Sequence, residues 1–462
     1  MSEDKLSANY GKRRSFPIFF SLCGLILFLA GILGCLRLER GTLGGRFVIL
    51  FLFLIFGGLG VYLLRRARLP QLHFSLCLLA LGAAVVVRVM SLEHATGDYN
   101  DFLAPWTAFF RENGGFLGLK ESVGNYNVPY LYFLAAFSYL PVPDLYLIKL
   151  LSIFFDLLLA YAGLRLARQV FGRDGACAAA FSLLLLLPTV VLNGGLWGQC
   201  DSIYTALVLL SLADALEDRP GQSVVWLGVA FSFKLQAVFL LPLWCVLWYS
   251  RRVKFRHLCL FPVSYFVTIL PALLLGKPLM DILGVYWDQT GQYNDYLTLN
   301  APSVYALIPY GKAVDVAFWS KLGVLAAFLL VLGLLVWLFF FRARLTADHI
   351  LTAGLILAIG VPLLLPHMHE RYFMLAETLS VVWCLGAPRR IPAAAAVQVA
   401  SLGGYHAYLV LRYAFPMAWG AWLLIAALAA CILSLALSLR KPKAAEAVPA
   451  VSPPQAPEDH MK

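Results

Sequence analysis

Long apolar segments separated by short polar connections run along most of the chain. Most of these segments have about 18 to 24 residues, the length that an α-helix needs to cross roughly 30 Å of hydrocarbon. The pattern predicts an all-α polytopic membrane protein with about 14 transmembrane helices, within a range of about 12 to 14. The predicted spans are 16–36, 47–64, 72–91, 145–167, 175–192, 203–216, 257–275, 319–341 and 349–365, with two short helices inside 222–250 and three further passages between 372 and 440.

The same pattern divides the chain into three predicted parts. Residues 1–15 are polar and basic, and we expect them in the cytoplasm. Residues 16–440 are predicted to form a single transmembrane domain. Residues 441–462 are rich in Pro and Ala, which predicts a disordered cytoplasmic tail.

Two longer polar regions interrupt the transmembrane domain and are predicted to be outer loops. The first, 92–143, is too polar to span a membrane and too aromatic to be a simple linker. Within it, Phe102–Phe110 and Val128–Leu140 are expected to be short helices at the membrane interface. The second predicted outer loop covers 276–318.

The Lys and Arg residues between the spans predict how the chain is oriented. With the N-terminal arginines in the cytoplasm, the arginines at 65–68 also lie inside, as the positive-inside bias prefers, and the loop at 92–143 lies outside. A single helix over 222–250 would place the basic cluster at 251–256 outside, against this bias. We therefore predict two short helices that meet near Lys234 beside a polar cavity.

Composition supports a membrane protein and argues against soluble classes. The 462 residues are 61% hydrophobic and 13% charged, whereas soluble domains carry roughly 25% charged residues. The net charge of +11 comes from Lys and Arg in short connections that face an anionic leaflet, so no nucleic-acid partner is predicted. The nine cysteines are scattered and mostly lie in apolar segments, so we infer neither a disulfide framework nor a zinc site.

The first outer loop contains the centre of a candidate active site. Asp98 and Asp101 lie three residues apart, among Tyr99, Phe102 and Trp106. Aromatic faces beside a carboxylate that can accept a proton suit a sugar bound next to a hydroxyl that must be deprotonated. A solvated loop with interfacial aromatic residues is the alternative that this stretch alone leaves open.

Counting the predicted spans from the N-terminus places five polar clusters, far apart in sequence, on the outer side of the membrane. Because charged groups at membrane depth are costly and tend to mark functional sites, we expect the clusters to form one pocket. Simpler alternatives exist for single clusters: Asp201 would cap the next helix, and Lys234 would snorkel to the surface. The two histidines at 367 and 369 would form a weak metal pair. The clusters are Asp98 with Asp101, Gln199 with Asp201, Lys234 with Gln236, the loop with Asn300, and His367 with His369, Glu370 and Arg371.

Two further charged residues lie inside apolar segments. Asp156 is predicted to be a paired structural group that faces the bundle, and Lys149 is nearly two helical turns away, too far to be its obvious partner. Arg88, near an outer helix end, is a candidate for phosphate binding, although snorkelling to the interface is the favoured interpretation.

Together these residues resemble those of the glycosyltransferase C superfamily, which comprises multi-pass enzymes that use polyprenyl-phosphate sugars. The likeness is to bacterial mannosyl- or glucosyltransferases and, more distantly, to dolichyl-phosphate-glucose glucosyltransferases. It covers roughly residues 90 to 380 and depends on the order, spacing and common sidedness of motifs that are individually weak. The matching elements are Asp98-Tyr99 with Trp106, Tyr126-Asn-Val-Pro-Tyr130, Gly198-Gln199-Cys-Asp201, Lys234-Leu-Gln236 and His367-Met-His369-Glu370-Arg371.

The resemblance implies a hexosyltransferase that moves mannose or glucose from a polyprenyl-phosphate donor to a hydroxyl of a glycan, lipid or protein acceptor. The reaction would invert the anomeric carbon on the extracytoplasmic face of the cell (inner) membrane. Asp98 is the expected general base, with Asp101 as runner-up. The residues expected to bind the donor phosphate are Lys234, Arg371, His367 and His369. The residues expected to bind sugar or acceptor are Tyr99, Trp106, Gln199, Asp201, Gln236, Asn300 and Glu370.

Two other classes compete with this interpretation. A transporter or flippase for a polyprenyl lipid or a solute is the main alternative, since Lys234, Asp156 and Arg88 could line a pathway; the lack of pseudo-symmetric halves argues against it. A structural membrane scaffold leaves the outer carboxylates unexplained. No metal ligands are assigned, and a divalent cation stays open as a cofactor.

Overall fold

The computed structural model describes residues 3–291, 295–309 and 314–440. The predicted disordered tail at 441–462 lies outside the described residues, and so does a part of the predicted second outer loop. Almost all regular structure in the described ranges is helical. The helices are α1 Glu3–Gly34, α2 Leu43–Arg66, α3 Gln71–Ser91, α4 Ala104–Glu112, α5 Val128–Phe137, α6 Asp144–Phe171, α7 Asp174–Leu185, α8 Pro188–Val190, α9 Asp201–Leu216, α10 Pro220–Phe233, α11 Pro242–Tyr249, α12 Phe255–Leu258, α13 Leu260–Leu274, α14 Leu279–Gly291, α15 Val316–Phe340, α16 Ala347–Leu364, α17 Met374–Cys384, α18 Ile391–Leu409 and α19 Met417–Arg440.

Within the described ranges, nine helical segments are long and apolar enough to cross a membrane. This agrees with the predicted all-α, multi-pass membrane class. The remaining predicted passages fall on helices that are shorter or less apolar, among them α9, α10, α17 and α18. The nine segments correspond to α1, α2, α3, α6, α7 with the turns that follow it, α12 with α13, α15, α16 and α19.

Helix α9 forms the centre of the bundle. All 16 of its residues are buried, and it packs against α6 and α10. A helix that is buried on every side needs neighbours on every side. Its N-terminus, at Asp201, is therefore held in a fixed position at the end of the core.

The predicted break at Lys234 is confirmed. Helix α10 ends at Phe233, and Lys234 is extended, with φ −154° and ψ 134°. A short 3₁₀ turn over Leu235–Leu240 then leads into α11. The Lys234 backbone is nevertheless paired on both sides, because its N–H donates to the carbonyl of Ala230 at 3.2 Å and its carbonyl accepts from the N–H of Ala237 at 3.3 Å.

Both predicted outer loops contain helices. The first contains α4 and α5, close to the short helices expected there. Within the second, predicted over 276–318, α14 occupies Leu279–Gly291, where no helix was predicted. Tyr286 on α14 donates a hydrogen bond to the carbonyl of Phe231, so the helix packs on the bundle.

A small parallel strand pair joins the second outer loop to the turn at 367–371. Strand β1, Thr298–Leu299, pairs with β2, Met368–His369. Asn300 and His367 next to these strands have φ values of 55° and 62°, a left-handed conformation that is uncommon for residues other than glycine. The pairing fixes the position of the histidine turn beside the bundle.

The snorkelling interpretation of Arg88 is wrong. Its side chain is fully buried and donates hydrogen bonds from Nε and Nη2 to Asp156 Oδ2, at 3.0 and 2.8 Å. Asp156 is thus a paired group facing the bundle, as predicted, and its partner comes from α3. Ser202 donates a hydrogen bond to the other carboxylate oxygen of Asp156, Oδ1.

Candidate active site

A cavity of about 870 Å³ opens among the elements that carry the polar clusters. This volume lies within the roughly 300–1,000 Å³ that is usual for small-molecule sites. Its wall is built from α4, the Tyr126 turn, the residue before α9, the break at Lys234, the start of α15, the histidine turn and the end of α18. Segments far apart in the chain therefore meet at one site.

Asp98 is held by three hydrogen bonds. Its Oδ2 accepts from Trp197 Nε1 at 2.9 Å and from Gln199 Nε2 at 2.6 Å, and its Oδ1 accepts from the hydroxyl of Tyr408. Arg371 Nη1 lies 3.9 Å from Oδ2. Because a carboxylate has about four acceptor positions, these donors fix its orientation and leave one position on Oδ1 for a further donor. The side chain is 19% exposed, so that position is reachable from the cavity.

Backbone contacts hold the loop that carries Asp98. The buried ammonium of Lys149, on α6, donates to the carbonyls of Ser91, Leu92 and His94 at 2.7, 3.1 and 2.6 Å. These are carbonyls at and just after the end of α3, which lack helical partners of their own. Lys149 therefore fixes the turn that leads into Asp98.

Lys234 forms an ion pair with Asp201 at the start of α9. Its ammonium also lies 5.8 Å from the ring centres of both Tyr126 and Tyr372. The alternatives for both residues are wrong: Lys234 is 6% exposed and does not snorkel, and the Asp201 side chain makes no capping hydrogen bond. Asp201 Oδ2 instead accepts from Asn193 Nδ2 at 2.8 Å.

Arg371 lies at the centre of the charged residues, with three carboxylates around it. Its Nη1 is 3.5 Å from Glu370 Oε1 and 3.9 Å from Asp98, and its Nε is 3.7 Å from Asp201 Oδ2. The guanidinium carbon is 5.4 Å from the ring centre of Trp197, a cation–π distance. Among the described residues, Nε has no hydrogen-bond partner although it is buried.

The two titratable neighbours of Arg371 on the histidine turn have shifted pKa values. Burial raises the pKa of Glu370 to about 7, although Arg371 opposes the shift. Burial also lowers the pKa of His369 well below its ordinary value, and the charges of Arg371 and Lys234 lower it further. Burial therefore favours the neutral form of both side chains.

Aromatic rings form a wall of the cavity. Trp106 and Tyr126 meet edge to face at 5.7 Å, and the Tyr126 hydroxyl donates to Gln199 Oε1 at 3.0 Å. Trp197 stacks on Tyr408 at 4.1 Å, with 13° between the rings. Such rings offer flat apolar faces next to hydrogen-bonding edges, a surface that suits a sugar.

Eight of the predicted site residues line this cavity, and five do not. Asp201 and Glu370 are buried behind the wall and contact its cations. The side chain of Asp101 is exposed, and Tyr99 donates to Asp144 at 3.0 Å. Asn300 accepts from Tyr413 at 2.6 Å. The lining residues are Asp98, Trp106, Gln199, Lys234, Gln236, His367, His369 and Arg371.

Other residues of the site were not predicted as site residues. Trp197 is fully buried behind the cavity wall and donates a hydrogen bond to Asp98. It lies in the Gly-Gly-Leu-Trp-Gly-Gln stretch, and its indole N–H is the signal by which the sequence could have shown it. Tyr408 has no polar neighbours in sequence that would single it out, because its role depends on α18 approaching the first outer loop. Lys321 and Gln289 come from α15 and α14 and also line the cavity.

The described residues contain no group of three His, Cys, Asp or Glu side chains suited to a metal ion. His367 instead shares hydrogen bonds through Nδ1 with the carbonyl of Tyr296, at 2.6 Å, and through Nε2 with Ser320 Oγ, at 3.3 Å. The nine cysteines all fall in the described ranges and are free thiols.

Comparison with models of known protein families gave no match, and none of the curated proteins matches the chain. What can be said of function therefore depends on the geometry of the cavity and the chemistry of its wall.

Proposed function

We propose that the chain is a membrane glycosyltransferase. It transfers a hexose from a polyprenyl-phosphate donor to an acceptor hydroxyl on the extracytoplasmic face, with inversion at the anomeric carbon. The observation that carries this proposal is Asp98, a carboxylate held by three hydrogen bonds at the edge of an 870 Å³ cavity that also contains Lys234 and Arg371.

In the proposed reaction Asp98 accepts the proton of the acceptor hydroxyl. The acceptor oxygen forms a bond to the anomeric carbon, and the bond from that carbon to the phosphate oxygen breaks. The electron pair leaves with the polyprenyl phosphate, whose charge a cation of the cavity wall stabilises; the wall supplies Lys234, Arg371 and Lys321. A single displacement of this kind inverts the anomeric carbon.

The donors around Asp98 support its role as a base. Trp197 and Gln199 hold one carboxylate oxygen, which fixes the orientation of the group, and the position left on Oδ1 can accept a proton. Asp101 is exposed and does not line the cavity. This geometry favours Asp98 over Asp101.

Further features of the proposal concern topology. We propose that the shorter helices complete about 14 membrane passages, arranged as in the glycosyltransferase C superfamily. The cavity then opens on the side opposite the Arg251–Arg256 cluster, which the positive-inside bias places in the cytoplasm. The proposed location is the cell (inner) membrane.

A transporter is the rival class. That interpretation required three residues, Arg88, Asp156 and Lys234, to line a pathway, and two of them do not. Arg88 and Asp156 are fully buried, bind each other and do not line the cavity. Lys234 alone does not extend the cavity across the bundle.

The test compares Asp98→Asn with Asp101→Asn in the purified full-length chain. Transfer from radiolabelled polyprenyl-phosphate mannose and glucose is measured with lipid and glycan acceptors. Loss of a general base is expected to lower turnover by about 100- to 10,000-fold in Asp98→Asn. Asp101→Asn is expected to stay close to wild type, because this carboxylate is exposed and outside the cavity.

Size-exclusion profiles and thermal unfolding show whether each variant is folded. A folded Asp98→Asn protein with wild-type turnover would remove Asp98 from the role of base. If the wild-type chain transfers neither hexose from any polyprenyl-phosphate donor, the proposed function itself is wrong.

A further inference from the structure

The cavity wall has two different halves. The polar half holds the Asp98 and Arg371 side chains, together with the rings of Trp106 and Tyr126. The apolar half includes one face of α15, where the exposed side chains of Val324, Leu325 and Phe328 line the cavity. An elongated amphiphile fits such a wall, with its polar end among the charges and its chain along α15.

The cations of the polar half are already paired with carboxylates. Lys234 binds Asp201, and Arg371 has Asp98, Asp201 and Glu370 within 3.9 Å. Three carboxylates thus accompany two cations, so the group is negative, or neutral when Glu370 is protonated. An incoming phosphate would gain little from these cations and would be repelled by Asp98.

Lys321 is different. It lines the cavity and its side chain is exposed, and it forms no ion pair with any residue in the described ranges. It lies on the same face of α15 as Val324, Leu325 and Phe328, at spacings of three, four and seven residues. Its charge is therefore aligned with the apolar half of the wall.

The neighbour of Lys321 connects it to the polar half. Ser320 also lines the cavity, and its hydroxyl lies 3.3 Å from His367 Nε2 on the histidine turn. Lys321 thus stands where the two halves of the wall meet. In an amphiphile that carries a sugar, a phosphate and a long apolar chain in that order, this is the position of the phosphate.

We infer that Lys321 binds the phosphate of the lipid donor, while Lys234 and Arg371 stay paired with the carboxylates and hold Asp98 in place for the sugar. The inference rests on the proposed function and changes its assignment of the cations. The sugar, which is neutral, then occupies the half of the wall that offers Asp98, the Gln199 amide and aromatic rings.

A binding experiment tests this without any transfer step. The full-length protein in lipid nanodiscs is titrated with undecaprenyl phosphate, with undecaprenol and with inorganic phosphate, and the dissociation constants are measured. Lys321→Met is compared with Lys321→Arg and with the matched control Lys120→Met, which changes an exposed lysine of the first outer loop that does not line the cavity.

Lys321→Met is expected to weaken binding of undecaprenyl phosphate by about ten-fold or more, since one charge-assisted contact to phosphate is lost. Binding of undecaprenol is expected to stay unchanged in this variant. Lys321→Arg and Lys120→Met are expected to resemble the wild type. Inorganic phosphate that binds as tightly as the lipid would identify a free phosphate as the ligand.

Unchanged binding in Lys321→Met, with weakened binding in Lys234→Met, would overturn the inference and return the phosphate to Lys234. No binding of undecaprenyl phosphate to the wild type would also overturn it. Lys321-dependent binding in a protein that transfers no hexose would leave this inference standing and refute the proposed function. If transfer depends on Asp98 but Lys321→Met binds undecaprenyl phosphate normally, the proposed function is supported and the inference about Lys321 is refuted.

Discussion

Two groups of charged residues in the bundle can be compared, a core pair away from the cavity and a cluster that borders it. The core pair consists of Arg88 and Asp156, both fully buried. The cavity cluster consists of Asp98, Asp201, Lys234, Glu370 and Arg371. The two regions differ in how completely their hydrogen-bonding groups are satisfied.

In the core pair, the charged groups are fully hydrogen-bonded to protein partners. Arg88 makes two hydrogen bonds to Asp156 Oδ2 and a third to the carbonyl of Leu185, at 2.9 Å. Ser202 occupies the other oxygen of Asp156. Nothing in this arrangement needs a further partner, which is typical of a structural ion pair.

In the cavity cluster, some charged groups lack hydrogen-bond partners. Arg371 approaches its carboxylates only to 3.5–3.9 Å, and in the described structure its Nε and the Oε1 of Glu370 have no hydrogen-bond partner. The pKa of Glu370 is raised to about 7. Unsatisfied polar groups beside a cavity are typical of functional sites. We therefore infer that the core pair stabilises the fold, whereas the cavity cluster is suited to binding a ligand.

The largest expected effect concerns the core pair. Asp156→Leu leaves Arg88 buried without a counter-ion, and removal of one partner of a buried pair costs about 3–5 kcal/mol in free energy of unfolding. The double variant Arg88→Met with Asp156→Leu is expected to regain most of that stability. Thermal unfolding of the purified variants in detergent measures both effects.

A double variant as unstable as Asp156→Leu alone would mean that the contacts to Ser202 and Leu185, more than the uncompensated charge, are what the fold requires. Arg88→Lys provides the matched control. It keeps the charge and loses the paired hydrogen bonds, so we expect a smaller loss than in Asp156→Leu.

The cavity cluster should respond in the opposite way. Lys234→Met with Asp201→Asn removes an ion pair without changing the net charge of the cluster, and we expect the unfolding temperature to stay close to that of the wild type. Transfer is expected to fall by about 100-fold, equivalent to about 2.7 kcal/mol of transition-state stabilisation. Transfer kinetics and thermal unfolding are measured on the same preparations.

If this double variant regains the activity that Lys234→Met alone has lost, the Lys234–Asp201 pair has a structural role like that of Arg88 and Asp156. The proposed difference between the core pair and the cavity cluster would then be wrong. Persistent loss in both variants supports a direct role in the site.

The smallest expected effect is a pH dependence of stability. The pKa of Glu370 rises from an ordinary 4.5 to about 7 in the folded chain, so the folded state holds a proton that the unfolded state has released. Stability from this group is present at low pH and is lost as pH rises through about 7, by about 1 kcal/mol between about pH 6 and pH 8. Unfolding temperatures across this range measure the effect.

Glu370→Gln replaces the protonated carboxyl by a neutral group of similar shape, so its stability profile should be flatter than that of the wild type over the same range. Identical slopes in both proteins would assign the pH dependence to another group and remove Glu370 from the cavity cluster.

The sequence determined the class of the protein and most of the polar residues of the cavity. Apolar segments of membrane length predict helices because backbone groups in hydrocarbon must bond within their own segment. Counting the spans then placed Asp98, Lys234 and the histidine turn on one side, since charge is costly at membrane depth. The break at Lys234 followed from the basic cluster at 251–256 by the same rule.

Only the tertiary structure decided which of these residues share a wall. Tyr408 reaches Asp98 across 310 residues of chain, and Lys321 becomes a cavity residue because one face of α15 turns toward the histidine turn. Asp101, three residues from Asp98, is exposed and does not line the cavity. The hydrophobic pattern of a segment specifies that a helix is buried. Which side chains meet in the cavity depends on how the helices pack, and that packing is set by residues far apart in the chain, so no single segment of the sequence shows it.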